Sequence, residues 1–249
     1  MDNFIFGLRP VIEAIKAGKE IDRILIKKDA SGQNLGELLE LIRENNIVSR
    51  RVPVEKLNRL TSKNHQGVIA YLSSVTYYRL ENLIPELYEK GIVPFIVVLD
   101  GITDVRNFGA IARTCECAGV DAIVIPERGS VSVGADAVKT SAGALMTIPV
   151  CREPNLNVAV KDLKNNGFTV VAASEKAAEN YTAVDYTVPV AIVMGNEETG
   201  ISSNVLKNCT ALVKIPQFGV IQSLNVSVAA GVMMYEVVRQ RMTDGMTVE

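Results

Sequence analysis

Apolar positions recur along this chain in two rhythms, and the change from one to the other divides it. Val11 to Ala17 repeats apolar residues at helical spacing and is stopped by Gly18. Arg23 to Lys27 reads as a strand, and Leu35 to Glu44, with Leu38, Leu39, Leu41 and Ile42, reads as a second helix. A strand at Ile47 to Val52, a short helix after Pro53 and a strand at Gly67 to Leu72 complete a small α/β unit. Ser73 to Gly91 lacks strand character and is expected to be a connector with a helical stretch over Leu80 to Glu89. Beyond Val93 the strands become near-continuous apolar runs: Phe95 to Leu99, Ala122 to Ile125, Phe168 to Ala172, Val188 to Met194 and Ala211 to Ile215. They alternate with helices starting near Asn107, Ala135, Leu156, Ser202 and Ser223. Such alternation predicts a mostly parallel sheet covered on both faces. The expected organisation is a domain over residues 1–75, a connector over 76–92 and a larger domain over 93–249, with Met242 to Glu249 as a frayed tail.

Composition supports a globular α/β protein: 249 residues, 48% hydrophobic, mean hydropathy +0.19. No apolar run approaches the roughly 20 residues that span a bilayer. The start, Met1-Asp2-Asn3-Phe4, lacks the basic-then-apolar pattern of a signal peptide, so a cytoplasmic location is expected. Cys115, Cys117, Cys151 and Cys209 are spaced for neither a zinc site nor a disulfide framework and read as small core residues. His65 is the single histidine, which excludes most metal sites and most nucleophile–imidazole schemes. It belongs to the smaller unit, where a binding contact or a local hydrogen bond suits it better than catalysis. Net charge is −2, but residues 1–75 hold 12 Lys and Arg against 9 Asp and Glu, whereas residues 76–249 hold 14 against 19. The basic excess of the first unit is modest, with Lys27-Lys28 and Arg50-Arg51 as candidate grips on a phosphate backbone.

Three segments place small or polar residues at the carboxyl end of a strand, where open parallel sheets bind ligands. They are Leu99 to Arg113 (LDGITDVRNFGAIAR), Val193 to Gly200 (VMGNEETG) and the stretch opening at Lys214 (KIPQFGVIQSLNVSVA). In the last, Ser223 can cap the helix that follows, leaving Asn225 and Ser227 as polar groups in its first turn. Gly195 and Gly200 have the glycine spacing of a P-loop, yet Ile201 stands where the lysine must be, and Glu197 and Glu198 would repel a triphosphate. The dinucleotide fingerprint Gly-x-Gly-x-x-Gly is absent from the chain. The loop therefore suits a neutral or cationic ligand.

The three segments, in this order and at these intervals, resemble the successive motifs of the SpoU, or TrmH, family of RNA ribose 2′-O-methyltransferases. Gly7-Leu8-Arg9-Pro10-Val11 and Asn64-His65-Gln66-Gly67-Val68 extend the resemblance to the N-terminal unit and point to the RlmB-type branch, which methylates a guanosine of 23S ribosomal RNA. The resemblance implies a SPOUT-type parallel sheet with a C-terminal trefoil knot and a small N-terminal RNA-binding domain similar to ribosomal protein L30e. It further implies S-adenosylmethionine as cofactor, a homodimer with the site near its interface and RNA as partner; the single histidine and the lack of a membrane-length apolar run lead to the expectation of neither metal nor membrane. The cationic sulfonium of that cofactor agrees with the acidic loop.

Position by position, Gly195, Ile215 and Leu224 resemble the backbone contacts that cradle the cofactor, with Ala173 or Ser174 beside them. Asn107, Arg113, Glu197, Ser223 and Asn225 resemble the catalytic cluster. A guanidinium hardly ever deprotonates, so Arg113 is expected to anchor the phosphate next to the target ribose and stabilise the developing alkoxide while protonated. Glu197 or a bound water takes the hydroxyl proton, and Asn107 and Asn225 orient the hydroxyl or lock the loops. Two other readings stay open at this stage: transfer RNA as the substrate, and a non-catalytic RNA-binding assembly factor on the same fold.

Overall fold

The computed structural model describes residues 4–221 and 223–243, and the chain divides into two compact units. The first is built from the chain up to Thr76 together with Ser132–Asp136. It contains β1 (Phe4–Phe6), α1 (Leu8–Lys16), β2 (Ile21–Lys27), α2 (Gln33–Glu44), β3 (Ser49–Val52), α3 (Val54–Leu60) and β4 (Val68–Leu72). The sheet order is β1-β4-β2-β3, with β2 and β3 parallel and the other pairs antiparallel. The period of two along each strand sends Ile24, Ile26, Val68 and Ala70 toward α1 and α2, and Leu25, Val52 and Ile69 toward Leu57 of α3. β1 escaped the sequence reading because three residues carry no measurable period; β4 supplies its partner.

The second unit comprises Tyr77–Val131 and the chain from Ala137 onward. Its elements are β5 (Tyr77–Tyr78), α4 (Leu80–Glu89), β6 (Phe95–Asp100), α5 (Val105–Cys117), β7 (Ala122–Pro126), α6 (Ala135–Thr140, which begins in the first unit), β8 (Val150–Glu153), α7 (Leu156–Asn165), β9 (Thr169–Ala173), β10 (Glu179–Asn180), β11 (Val190–Gly195), α8 (Ser203–Leu206), β12 (Ala211–Lys214) and α9 (Val226–Thr243). The eight strands run in the order β10-β12-β9-β11-β6-β7-β8-β5, and every pairing is parallel. The central strands β6, β7 and β11 are buried almost throughout, as their unbroken apolar runs require. Leu80, Leu83, Ile84 and Leu87 of α4 and Leu156, Ala159, Val160 and Leu163 of α7 share one core with alternate residues of the sheet. On α5 and α9, Phe108, Ile111, Ala112, Met233, Met234 and Val237 are buried, and α9 packs against α5 and β11.

Three expectations change. The stretch read as a connector carries β5 and α4, which belong to the core of the second unit, because α4 buries residues at i, i+3, i+4 and i+7. β5, β8 and β10 were missed: each has four residues or fewer, and β8 ends in the charged pair Arg152 and Glu153. Met242 and Thr243, assigned to a tail, continue α9, while residues 244–249 of that expected tail lie outside the described residues. Cys115 and Cys151 are fully buried as expected of core residues, and burial pushes the Cys151 thiol up to about 12. Cys209 is partly buried, and Cys117 is exposed.

Arg241 explains why α9 stays ordered to its last turn. Its guanidinium donates to the carbonyls of Val93 (2.9 Å), Tyr186 (3.1 Å), Val188 (3.1 Å) and Pro94 (3.2 Å), and lies 5.5 Å from the centre of the Phe95 ring. It thus fills acceptors near the amino ends of β6 and β11 with four of the five donors of one side chain. Burial lowers its pKa while the Asp121 carboxylate raises it. Arg241→Met leaves those carbonyls without their charged donor, so urea unfolding of the second unit is expected to show a loss of about 3 kcal/mol. A midpoint unchanged from wild type contradicts the anchoring role.

Candidate active site

The sheet of the second unit changes direction at β6. From there β7 and β8 are added on one side and β11 and β9 on the other, which leaves a crevice at the carboxyl ends of β6 and β11. Gly195 and Asp100 face each other in register at its lip. The loops beyond are tied together: Asn196 Nδ2 donates to the Gly101 carbonyl at 2.9 Å, and the Ser202 amide donates to Asp100 Oδ2 at 2.7 Å. Asn196 also shapes its own turn by accepting from the amides of Glu198 (2.8 Å) and Thr199 (3.2 Å). Gly195 is dictated by space: a Cβ there would lie 2.4 Å from both the Gly200 carbonyl carbon and the Ile201 nitrogen. The turn folds back on its own strand so tightly that no side chain fits.

At this lip one carboxylate oxygen gathers the three motif segments. Glu197 Oε1 accepts from Asn225 Nδ2 at 2.7 Å, from the Val226 amide at 3.0 Å and from Asn107 Nδ2 at 3.2 Å. Asn225 Nδ2 also donates to Asn107 Oδ1 at 2.9 Å, so the two amides and the carboxylate form a closed triangle. Glu197 Oε2 has no hydrogen-bond partner among the described residues. Asn225 Oδ1 accepts from the amides of Ser227 (2.9 Å) and Val228 (3.4 Å), the two donors that an N-cap side chain satisfies. Asn225 therefore caps α9, and the expectation that Ser223 does so is corrected; the helix starts at Val226, too far along for Ser223 to reach its first-turn amides. The cap of α5 is Asp104, whose Oδ1 accepts from the Asn107 amide at 2.8 Å, which frees the Asn107 side chain for the triangle.

A cavity opens beside the triangle at the ends of β9, β11 and β12. Ser174, Gly195, Ile215 and Leu224, the four residues expected to hold a cofactor, all line it, and so do Ala173, Glu197 and Ser223. Among the described residues its walls carry the carboxylates of Glu175 and Glu197 and no lysine or arginine. Such a lining favours a ligand with positive charge and opposes phosphates. The sequence reading missed Asn196 and Gln217 as contributors. For Asn196 the signal was present, since Gly-Asn ahead of two carboxylates is a turn sequence; Gln217 gave none.

Arg113 stands apart. It is exposed on α5, six residues beyond Asn107 and hence about 120° round the helix, and among the described residues it makes no hydrogen bond or ion pair. His65, in the first unit, is buried: its Nδ1 accepts from the Gly67 amide at 2.9 Å, so Nε2 carries the proton and donates to Asn58 Oδ1 at 2.9 Å. It braces a loop. Among the described residues no group of three or more His, Cys, Asp or Glu is placed to hold a metal ion, and no helix is long and apolar enough to cross a membrane.

Comparison with known proteins agrees with this arrangement. Residues 94–235 match the model of the SpoU rRNA methylase family, and residues 4–78 match that of the RNA 2′-O ribose methyltransferase substrate-binding domain. A Staphylococcus aureus protein assigned to the TrmH family of tRNA/rRNA methyltransferases is 38% identical over 240 residues, covering 96% of this chain and 97% of its own. Among solved structures, the AdoMet-bound rRNA methyltransferase of Sinorhizobium meliloti superposes with a TM-score of 0.60 at 26% identity, over 96% of this chain and 87% of that one. The A. aeolicus TrmH/SpoU tRNA modifying enzyme does so with a TM-score of 0.56 at 32% identity, over 67% of this chain and 86% of that one. With one family matched across more than half of the sequence and a relative matched across nearly all of it, the chain belongs to the SpoU rRNA methylase family.

Proposed function

We propose that the protein is an S-adenosylmethionine-dependent RNA methyltransferase that modifies a ribose 2′-hydroxyl, with a guanosine of 23S ribosomal RNA as its target and the cytoplasm as its place of work. The observation that carries this reading is the union of a carboxylate-lined cavity floored by Gly195 with the Asn107–Glu197–Asn225 triangle at its edge. Ribosomal RNA is favoured because the S. meliloti rRNA enzyme superposes over 96% of the chain, whereas the A. aeolicus tRNA enzyme covers only 67%. Transfer RNA is the second reading, supported by the tRNA/rRNA designation of the S. aureus relative.

The residues fit the cofactor. Gly195, Ile215 and Leu224, with Ala173 and Ser174, would hold it, and the carboxylates of Glu175 and Glu197 complement a cation. The bound cofactor supplies an electrophilic methyl group on a sulfonium. The rest of the work is orientation and proton handling. The triangle fixes Glu197 through Oε1, and Oε2 takes the ribose proton directly or through a water. Asn107 and Asn225 lock the three segments together, which favours the locking role over orienting the hydroxyl. Arg113, exposed and unpaired among the described residues, is available to grip the phosphate beside the target ribose and to stabilise the alkoxide as it forms. Ser223 closes one side of the cavity.

The homodimer and the trefoil knot belong to the same proposal. α9 segregates its polar and apolar residues little, and Val228, Tyr235 and Met242, seven residues apart, are 53%, 51% and 60% exposed, a stripe suited to a second copy of the chain. After β12, near one edge of the sheet, the chain returns past β9 to pack on α5, the return that a knotted end requires.

Calorimetric titration with S-adenosylmethionine and methyl transfer to unmodified ribosomal RNA test the reading. Arg113→Ala is expected to keep cofactor affinity within about twofold and lose transfer by 10² or more, roughly the worth of a well-placed charge. Gly195→Ala is expected to abolish both. Wild-type protein without cofactor affinity overturns the enzymatic reading in favour of an RNA-binding factor. Sedimentation at micromolar concentration is expected to give a dimer that Tyr235→Asp converts to monomer, and a monomeric wild type refutes the dimer.

A further inference from the structure

We infer that the first unit grips RNA through one cationic face, built by β3, α3 and the segment leading to β4, while the α1–α2 face stays off the nucleic acid; this rests on the proposed RNA substrate. The excess of positive charge over residues 1–75 is slight, but it is unevenly placed. From Ser49 to Lys63 the chain carries Arg50, Arg51, Lys56, Arg59 and Lys63 against Glu55 alone, and all five cations are exposed. Lys27 and Lys28 adjoin them: Lys27 pairs in register with Val52, and the Lys28 amide donates to the Val52 carbonyl at 2.9 Å. On the other side, α1 and α2 carry Glu13, Glu37, Glu40 and Glu44 against Arg9, Lys16 and Arg43. α3 and the α1–α2 pair cover opposite faces of the sheet, so the two charge populations are separated by its thickness.

Pairing sharpens the contrast. Lys16 binds Glu37 at 2.7 Å and Arg43 lies 3.9 Å from Glu40, so cations of the α1–α2 face are partly neutralised by neighbours. Arg50 pairs in register with Leu25 and so shares the α3 side with Lys56, Arg59 and Lys63, whereas Arg51 pairs with Ile26 and faces the other way; among the described residues none of these four on the α3 side joins an ion pair. Arg51, outside that patch, donates to the Lys28 carbonyl at 2.9 Å. A charged edge strand by itself serves to discourage sheet-to-sheet association, and β3 is an edge. The cations continue beyond that edge through the helix and its exit loop, which protection of a strand does not require. Unpaired, exposed cations gathered on one face are what a polyphosphate backbone displaces counterions to reach. The loop at the end of the patch is fixed by His65, and it exposes Asn64 and Gln66 beside Lys63.

The test uses the full chain and an unmodified transcript of large-subunit ribosomal RNA, with binding measured across a series of salt concentrations. One variant combines Arg50→Gln, Lys56→Gln, Arg59→Gln and Lys63→Gln; a matched control combines Arg9→Gln, Lys16→Gln, Lys19→Gln and Arg43→Gln. The first is expected to bind at least about tenfold more weakly and to lose roughly 3 from the slope of log affinity against log salt, at 0.7 to 0.9 per phosphate contact. The control is expected to stay within about twofold of wild type. Titration of both with S-adenosylmethionine at wild-type affinity certifies that they are folded. Equal weakening in the two variants, or wild-type RNA affinity in the first, overturns the assignment of this face while leaving the enzymatic reading intact. Wild-type protein that binds RNA through this face but not the cofactor overturns that reading instead, and wild-type protein that binds no RNA overturns both.

Discussion

A single oxygen, Oε1 of Glu197, is the meeting point on which the site depends. It accepts three donors from two different segments, the first turn of α5 and the start of α9, and itself belongs to a third, the loop beyond β11. Carboxylate hydrogen bonds of this kind are stronger than neutral ones, and the cost of leaving one unmade rises when several share an acceptor. Each arm of the triangle has a second duty. Asn225 caps α9 with its oxygen while its nitrogen serves the carboxylate, and Asn107 lies in the first turn of α5, freed by the Asp104 cap. The start of each helix is thus set by the contact that builds the site.

The sheet makes that convergence possible by keeping the strand ends level. β6, β9, β11 and β12 are parallel, so their carboxyl ends share one edge and each delivers a loop to it. Burial of the apolar residues of β6, β9 and β11 on both faces fixes their register, since a slip by one residue would exchange two packed faces. At the opposite end of the same strands Arg241 closes the structure by filling carbonyls near the amino ends of β6 and β11. α9 is therefore held at both ends, by Glu197 at its start and by its own arginine at its finish. A helix with so little polar patterning needs both, because its sequence alone does not say which side faces inward.

Charge is handled differently in the two units. In the second, the carboxylates of Glu175 and Glu197 line the cavity, and among the described residues no lysine or arginine does. In the first, unpaired cations gather on the α3 side while α1 and α2 mix four acids with three cations, so a slight net excess conceals a larger local one. Net charge summed over a chain averages away the distribution that a partner meets.

Local structure, and the residue types that the candidate site draws together, follow from the sequence. Periodicity located most of the helices and every long strand, and Glu197, Asn107 and Asn225 were legible as polar residues at strand ends within motif-like segments. Signals of that kind are local, because period and turn chemistry are properties of neighbouring residues. The tertiary structure alone decided which groups meet. Asn107 and Asn225 are 118 residues apart yet share a hydrogen bond, Asn225 rather than Ser223 caps α9, and Arg113 lies away from the triangle despite sharing a helix with Asn107. The short strands β1, β5, β8 and β10 likewise exist only because partners lie beside them. Their hydrogen bonds are non-local, and a segment of two to four residues holds too little information to announce a partner it meets only after the chain has folded.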